Sequence, residues 1–212
     1  MRLTGSLTWV LGNAYDPLIK PGPWSLHEFG HWLAAGRLTH RKAAHRLRGV
    51  FVQPTFEPAT PADVPVVLQM IGELADFEKL SKAAVGTAAA LHEGLFGVTP
   101  KAEALLARLE GQVVGFALVF SNYSTFLCRP GLYLEDLYIR PAYRAQGIGR
   151  QFLQHIARLA LERGCGRFEW SVLNWNESAI QFYQSMGARP VAGWTVYRLD
   201  QFALEAFRDT PA

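Results

Sequence analysis

The sequence has no apolar run approaching the ~20 residues that a membrane-crossing helix requires. Leu7 to Leu11 is too short, and the preceding Thr4-Gly5-Ser6 too polar, for a secretory signal peptide. Cysteine is scarce: Cys128 and Cys165 are the two in 212 residues, far apart and in no C-x-x-C spacing. That excludes a disulfide scaffold and a zinc ribbon and fits a cytoplasmic protein. There is no internal repeat and no low-complexity tract. Only 18% of the residues are charged while 50% are hydrophobic, which excludes the disordered class and allows a good core.

The net charge of +3 is unevenly placed. Residues 1–50 hold seven Lys/Arg against two Asp/Glu, whereas residues 51–212 hold fourteen against sixteen. The larger part is thus mildly acidic, which argues against nucleic acid as a partner and suits a cationic small molecule. In the basic part, His27-Glu28-Phe29-Gly30-His31 matches H-E-x-x-H, a zinc peptidase motif in which both histidines share a helical face and the glutamate is the base. A peptidase needs a third ligand on a supporting fold. The surroundings, with Pro17, Pro21 and Pro23 upstream, leave little room for one, and His40 and His45 miss the longer metzincin spacing. The run Trp24 to Leu38 also reads as a short amphipathic helix carrying both histidines on its surface. The expectation is no catalytic metal, with residues 1–50 an N-terminal extension ahead of the main domain at 51–212.

The rest of the chain is organised around Leu132 to Gly164. Leu132 to Ile139 is almost wholly leucine, aromatic or β-branched and is bounded by Gly131 and Pro141, the pattern of a buried strand. Glu135 and Asp136 interrupt it. A period of two sends adjacent residues to opposite faces, and a carboxylate on a buried strand needs either an ion pair, for which Arg140 and Arg144 are at hand, or a chemical task. Next comes Arg144-Ala145-Gln146-Gly147-Ile148-Gly149, opening a helix with Ile148, Phe152, Ile156 and Leu159 at helical spacing and Arg163-Gly164 as its stop. Glycines in a first helical turn let an anion approach bare amides, and Arg144 and Arg150 add positive charge. A Rossmann fingerprint fails because its third glycine is Phe152, and no P-loop is present.

What remains is R-x-x-G-x-G straight after an acid-bearing strand, which resembles the acetyl-coenzyme A turn of the GNAT superfamily of N-acetyltransferases. Leu132 to Asp136, Tyr143 to Gly149, Trp175-Asn176-Glu177, Phe182-Tyr183 and Gly187-Ala188 recur in that order and spacing in its spermidine/spermine (diamine) branch. The resemblance covers residues 55–207. It implies an α/β fold with a mixed, mostly antiparallel central sheet splayed between two parallel strands and flanked by helices. The remaining elements suit it. Thr55 to Ala59 reads as a strand; Pro61 opens a helix striped by Val66, Val67, Met70, Ile71 and Leu74; Thr87 to Leu95 is a second helix. Ala104 to Glu110 and Val113 to Ser121 form a hairpin at Gly111, and Asn122 to Gly131 a loop in which Tyr123 and Phe126 either fill the core or wall a pocket. Arg167 to Leu173 is a strand, Glu177 to Met186 a helix capped by Asn176 and stopped by Gly187, Val191 to Leu199 a last strand, and Gln201 to Phe207 a last helix.

The resemblance also implies roles. Acetyl-CoA, as co-substrate, is held by Arg144, Ala145, Gln146, Gly147, Ile148, Gly149 and Arg150, by backbone groups around Leu137, Tyr138 and Ile139, and by Asn176. An aliphatic ammonium of pKa ~10 must lose a proton before it can attack, and Glu135 takes it directly or through water. Tyr183, otherwise a core tyrosine, protonates the leaving thiolate. Glu78, Glu135, Asp136 and Trp194 bind the acceptor; Glu73, Asp76 and Glu78 form either a solvated face or a cation-attracting lip. Phe77 stands where mammalian diamine enzymes tend to have tyrosine. The expected activity is acetyl transfer to a primary amine of a diamine or polyamine-like acceptor by a homodimer, without nucleic acid, membrane or metal. The alternatives are an amino-acid side-chain amine such as thialysine or lysine and, from another class, a non-catalytic acyl-CoA sensor.

Overall fold

The computed structural model of the chain describes residues 53–208, so the H-E-x-x-H segment lies outside the described residues. The described residues divide into two compact units, parted after Glu177. In the first, β1 (Thr55–Pro58) leads through a 3-10 turn to α1 (Val64–Phe77) and α2 (Ala88–Phe96). β2 (Glu103–Leu109), β3 (Gln112–Ser124) and β4 (Arg129–Ile139) follow, then α3 (Ile148–Glu162) and the short β5 (Phe168–Trp170). The five strands stand in the order β1-β2-β3-β4-β5, antiparallel except for the parallel pair β4/β5. This is the mixed, splayed α/β sheet implied by the resemblance.

Alternation divides the apolar residues between two faces. On one, Leu106, Phe116 and Tyr138 pack with Val67 and Met70 of α1 and Leu95 of α2. On the other, α3 buries Ile148, Phe152 and Ile156, and Phe152 stacks on Phe56 of β1 with ring centres 4.8 Å apart. Each such side chain, fully buried, contributes roughly 1.5–3 kcal/mol. Ion pairs tie the layers: Arg163 at the end of α3 grips Glu103 of β2 through two bonds of 2.6 and 2.7 Å.

Three local expectations are corrected. The expected loop at Asn122 to Gly131 is mostly strand, because β3 runs to Ser124 and β4 begins at Arg129; Tyr123 and Phe126 beside that turn are exposed and fill no core. β5 ends at Trp170 rather than at Leu173. In the second unit, α4 (Glu177–Gln184) and α5 (Gln201–Arg208) form, but Val191 to Leu199 is not a strand. A strand exists through its ladder partner, and Gly193 with φ +79° breaks this run while Val191, Trp194, Val196 and Tyr197 stay exposed. Gly187, with φ +89°, does end α4, donating its N–H to Gln184 O at 3.0 Å. Among the described residues no helix is long and apolar enough to cross a membrane.

Candidate active site

The site is built where β4 outlasts β5. Their pairing runs from Leu132↔Phe168 to Leu134↔Trp170 and stops, while β4 continues to Ile139. A bond of 2.7 Å between Tyr133 Oη and Ser171 Oγ closes the near end of the opening. Across β4, Arg140 N–H donates to Val114 O at 2.9 Å, and its register partner pair two residues back is Phe116↔Tyr138. Antiparallel alternation therefore turns the backbone of Tyr138 toward β3 and that of Leu137 and Ile139 toward the opening. Of the three positions expected to offer backbone groups, two face the gap; Tyr138 instead sends a buried ring into the core.

At the same place β4 bulges. Leu118 pairs with Asp136 and the next residue, Val119, pairs with Leu134, so Glu135 has no partner of its own. Tyr133, whose ring lies 5.0 Å from Phe120, and Asp136, opposite Leu118, are consequently on one face. Buried Leu134 points to the other. The bulge breaks the strict alternation expected for Glu135 and Asp136, and Asp136 lies on the side of α1, whose end is capped by Glu78. Asp136 is half-buried, and its carboxyl is pushed up to about 6 by that burial, then by the charges of Glu135 and Glu78. Burial also raises Glu78. Three carboxylates thus share a small volume and make it a site for cationic groups.

The two arginines expected as partners are engaged elsewhere. Arg140, the first candidate partner, binds Glu73 through contacts of 3.0 and 3.2 Å and also donates to Val113 O. Burial alone would raise the Glu73 carboxyl, but Arg140 overrides it and holds Glu73 below the usual range. Asp76 accepts from the Ser81 hydroxyl. Of the acids at the end of α1, only Glu78 turns to the site. Arg144, the second candidate, donates its Nε to Ile139 O at 2.8 Å and lays its guanidinium 4.9 Å from the Phe77 ring centre and 5.4 Å from that of Tyr138. Phe77 in turn lies 6.1 Å from Trp175, over which Lys79 Nζ sits at 5.9 Å. This alternation of cations and rings is invisible in the sequence, because it joins residues nearly a hundred positions apart.

The turn before α3 has the backbone its residues demanded. Gly147 is left-handed at φ +82° and Ala145, unusually for a residue with a side chain, at +59°. The first intrahelical bond runs from Gln151 N–H to Gly147 O at 3.1 Å, so the amides of Gly147, Ile148 and Gly149 have no intrahelical acceptor. Gln146 ties the turn back through Nε2 to Ala142 O at 3.1 Å. Arg150 lies in the first turn of α3. Asn176 follows β5, its N–H bonded to Leu173 O at 2.8 Å. Together these groups fit a pyrophosphate and an extended amide arm. Among the described residues no cluster of His, Cys, Asp and Glu could hold a metal ion.

The second unit carries the other two expected site residues. Tyr183 is on α4, half-buried, its ring 5.4 Å from that of Phe182 and its carbonyl accepting from Met186 and Ala188 at 3.0 and 3.2 Å. Trp194 is exposed on the extended segment.

Comparison with known proteins agrees with this geometry. Residues 74–188 match the model of the Acetyltransferase (GNAT) family. Thialysine N-epsilon-acetyltransferase of Sus scrofa is 37% identical over 157 residues, covering 69% of this chain and 92% of that protein. L-ornithine N5-acetyltransferase of Arabidopsis thaliana is 32% identical over 193 residues, covering 70% and 85%. Among solved structures, an integron cassette protein from the mobile metagenome of V. cholerae superposes with a TM-score of 0.64 at 23% identity, covering 76% of this chain and all of its own, a likeness of fold.

Proposed function

The chain belongs to the GNAT acetyltransferase family, and from that membership we propose that it transfers an acetyl group from acetyl-CoA to the side-chain amine of a basic amino acid of the lysine, thialysine or ornithine kind. The observation that carries this reading is the carboxylate group Glu78, Glu135 and Asp136 beside the open edge of β4, with two relatives whose names place their acceptors among amino-acid side chains. A diamine or polyamine acceptor is the second reading, since the same three acids suit two separated ammonium groups.

Acetyl-CoA supplies an activated acyl thioester. The chain's own groups do the rest. The amides of Gly147, Ile148 and Gly149, with Arg144 and Arg150, hold negative charge at the helix end. Leu137 and Ile139 present backbone N–H groups along the open edge, as an oxyanion site requires. Glu135, the most exposed of the three acids, accepts the ammonium proton through water, while Asp136 and Glu78 hold cationic charge in place. Tyr183 Oη is the proton source for the thiol product.

Thiol release followed with acetyl-CoA over L-lysine, thialysine, L-ornithine, spermidine and a simple monoamine tests the reading. The amino acids lead in kcat/KM if it is right. Spermidine in first place moves the assignment to the polyamine reading, and binding of acetyl-CoA without turnover of any amine leaves the sensor.

A further inference from the structure

We propose that Lys79 is a specificity-determining residue whose ammonium holds the α-carboxylate of an amino-acid acceptor. The inference deepens the function proposed above and rests on it.

The two ends of an amino acid such as lysine make different demands. Its reacting amine and its α-ammonium are cations and suit Glu135, Asp136 and Glu78. Its α-carboxylate is repelled by the same group and needs a positive partner close by. The two arginines that follow the acids on the chain are committed: Arg140 to Glu73, Arg144 to Ile139 O and two aromatic faces. Lys79 directly follows Glu78 and enters no ion pair among the described residues.

Lys79 is exposed, and its backbone and ring contact fix where its ammonium lies. The residue adopts φ +61°, uncommon with a side chain, as the chain turns off α1, and its N–H donates to Asp76 O at 3.2 Å. That turn carries Nζ back over the Trp175 ring at 5.9 Å. Trp175 belongs to the segment leading from β5 to Asn176, on the other wall of the opening. Lys79 therefore reaches from the acid-bearing end of α1 toward the opposite wall, with a ring to steady its charge and all three ammonium donors available. Glu78 and Lys79 together form a neighbouring acid and base, the complement of an α-amino acid's paired charges. Diamines keep the second ammonium and lack the carboxylate, so Lys79 meets them with like charge and no compensating contact.

Acceptor pairs that differ by the carboxylate alone test the proposal: L-lysine against cadaverine and L-ornithine against putrescine, in steady-state kinetics at saturating acetyl-CoA. The wild type should prefer the amino acid by about tenfold in kcat/KM, the modest size reflecting a partly exposed charge pair. Lys79→Gln, which removes the charge and leaves a polar side chain one atom shorter, should lower lysine efficiency roughly five- to twentyfold through KM while cadaverine stays constant or improves. Lys79→Arg should retain the preference, and Lys82→Gln, one turn away, should change neither substrate. A purely structural role for Lys79 would depress both acceptors together. Equal efficiencies within each wild-type pair, or a loss shared by both in Lys79→Gln, overturns the assignment of Lys79 and leaves the acetyltransferase reading standing. Absence of turnover with all four amines overturns both.

Discussion

Arg144 rests its guanidinium 4.9 Å from the centre of the Phe77 ring, so the first cation of the glycine turn before α3 lies on the last residue of α1. Phe77 is 41% exposed and meets the turn through Arg144, so the effect of its removal on acetyl-CoA is expected to act through that guanidinium. A cation–aromatic contact of this exposure contributes about 0.5–1 kcal/mol. Phe77→Ala should accordingly raise the KM for acetyl-CoA two- to fivefold with kcat nearly unchanged, and Phe77→Tyr should restore it. An unaltered KM in Phe77→Ala would show that Arg144 needs no such support.

Gly147 offers a sharper test of the turn. An added Cβ would meet only Gln151 Nε2, at 3.9 Å, so crowding within the protein does not forbid a side chain there. The obstacles are the left-handed φ of +82°, which costs about 1–2 kcal/mol for a residue other than glycine, and the loss of open space above the amides. Gly147→Val should stay folded by circular dichroism yet lose acetyl-CoA binding by calorimetry. Wild-type affinity in a folded variant would remove the turn from the site.

In the proposed mechanism Tyr183 is the proton source, and Tyr183→Phe removes its hydroxyl while keeping the ring. We expect kcat to fall roughly tenfold to a thousandfold while acetyl-CoA affinity stays within a few fold. A kcat equal to wild type would leave Tyr183 as a packing residue against Phe182.

The turn and α3 were legible in the sequence because their causes are local: a glycine where φ is positive, and Ile148, Phe152 and Ile156 at helical spacing. The strand carrying Glu135 and Asp136 was legible for the same reason, as a dense run of apolar residues. Its bulge was not. The bulge is a property of register against Leu118 and Val119, so the face each carboxylate takes depends on a strand some twenty residues earlier. Ion pairing was equally hidden. Arg140 and Arg144 are near the acids in sequence, but Arg140 finds Glu73 on α1 and Arg144 finds Phe77 and Tyr138. The segment from Val191 to Leu199 failed in the opposite sense: its composition favours a strand, and composition supplies no partner.

Asp136 yields the pH prediction. Its carboxyl titrates near 6 in the folded chain against 3.8 for the unperturbed group, raised by burial and by Glu135 and Glu78. Between those values the folded state keeps a proton that the unfolded state has released, so stability falls as pH rises from about 4 through 6 and the penalty is complete at neutral pH. Asp136→Asn removes it. At pH 7.5, where comparison with a raised carboxyl is clearest, the variant should be more stable than wild type by about 1–3 kcal/mol, and the gap should close toward pH 4. Activity should move the other way. In the proposed function ionised Asp136 is the form that holds the acceptor's charge, so wild-type kcat/KM for a doubly cationic acceptor should climb through pH 6, and Asp136→Asn should lose that rise together with most of its acceptor affinity. Urea midpoints for both proteins across pH 4–8, set beside the pH profile of kcat/KM, decide the matter. Parallel stability curves, or a rise through pH 6 that survives in Asp136→Asn, would transfer the titration to another group and leave Asp136 as an ordinary half-buried acid.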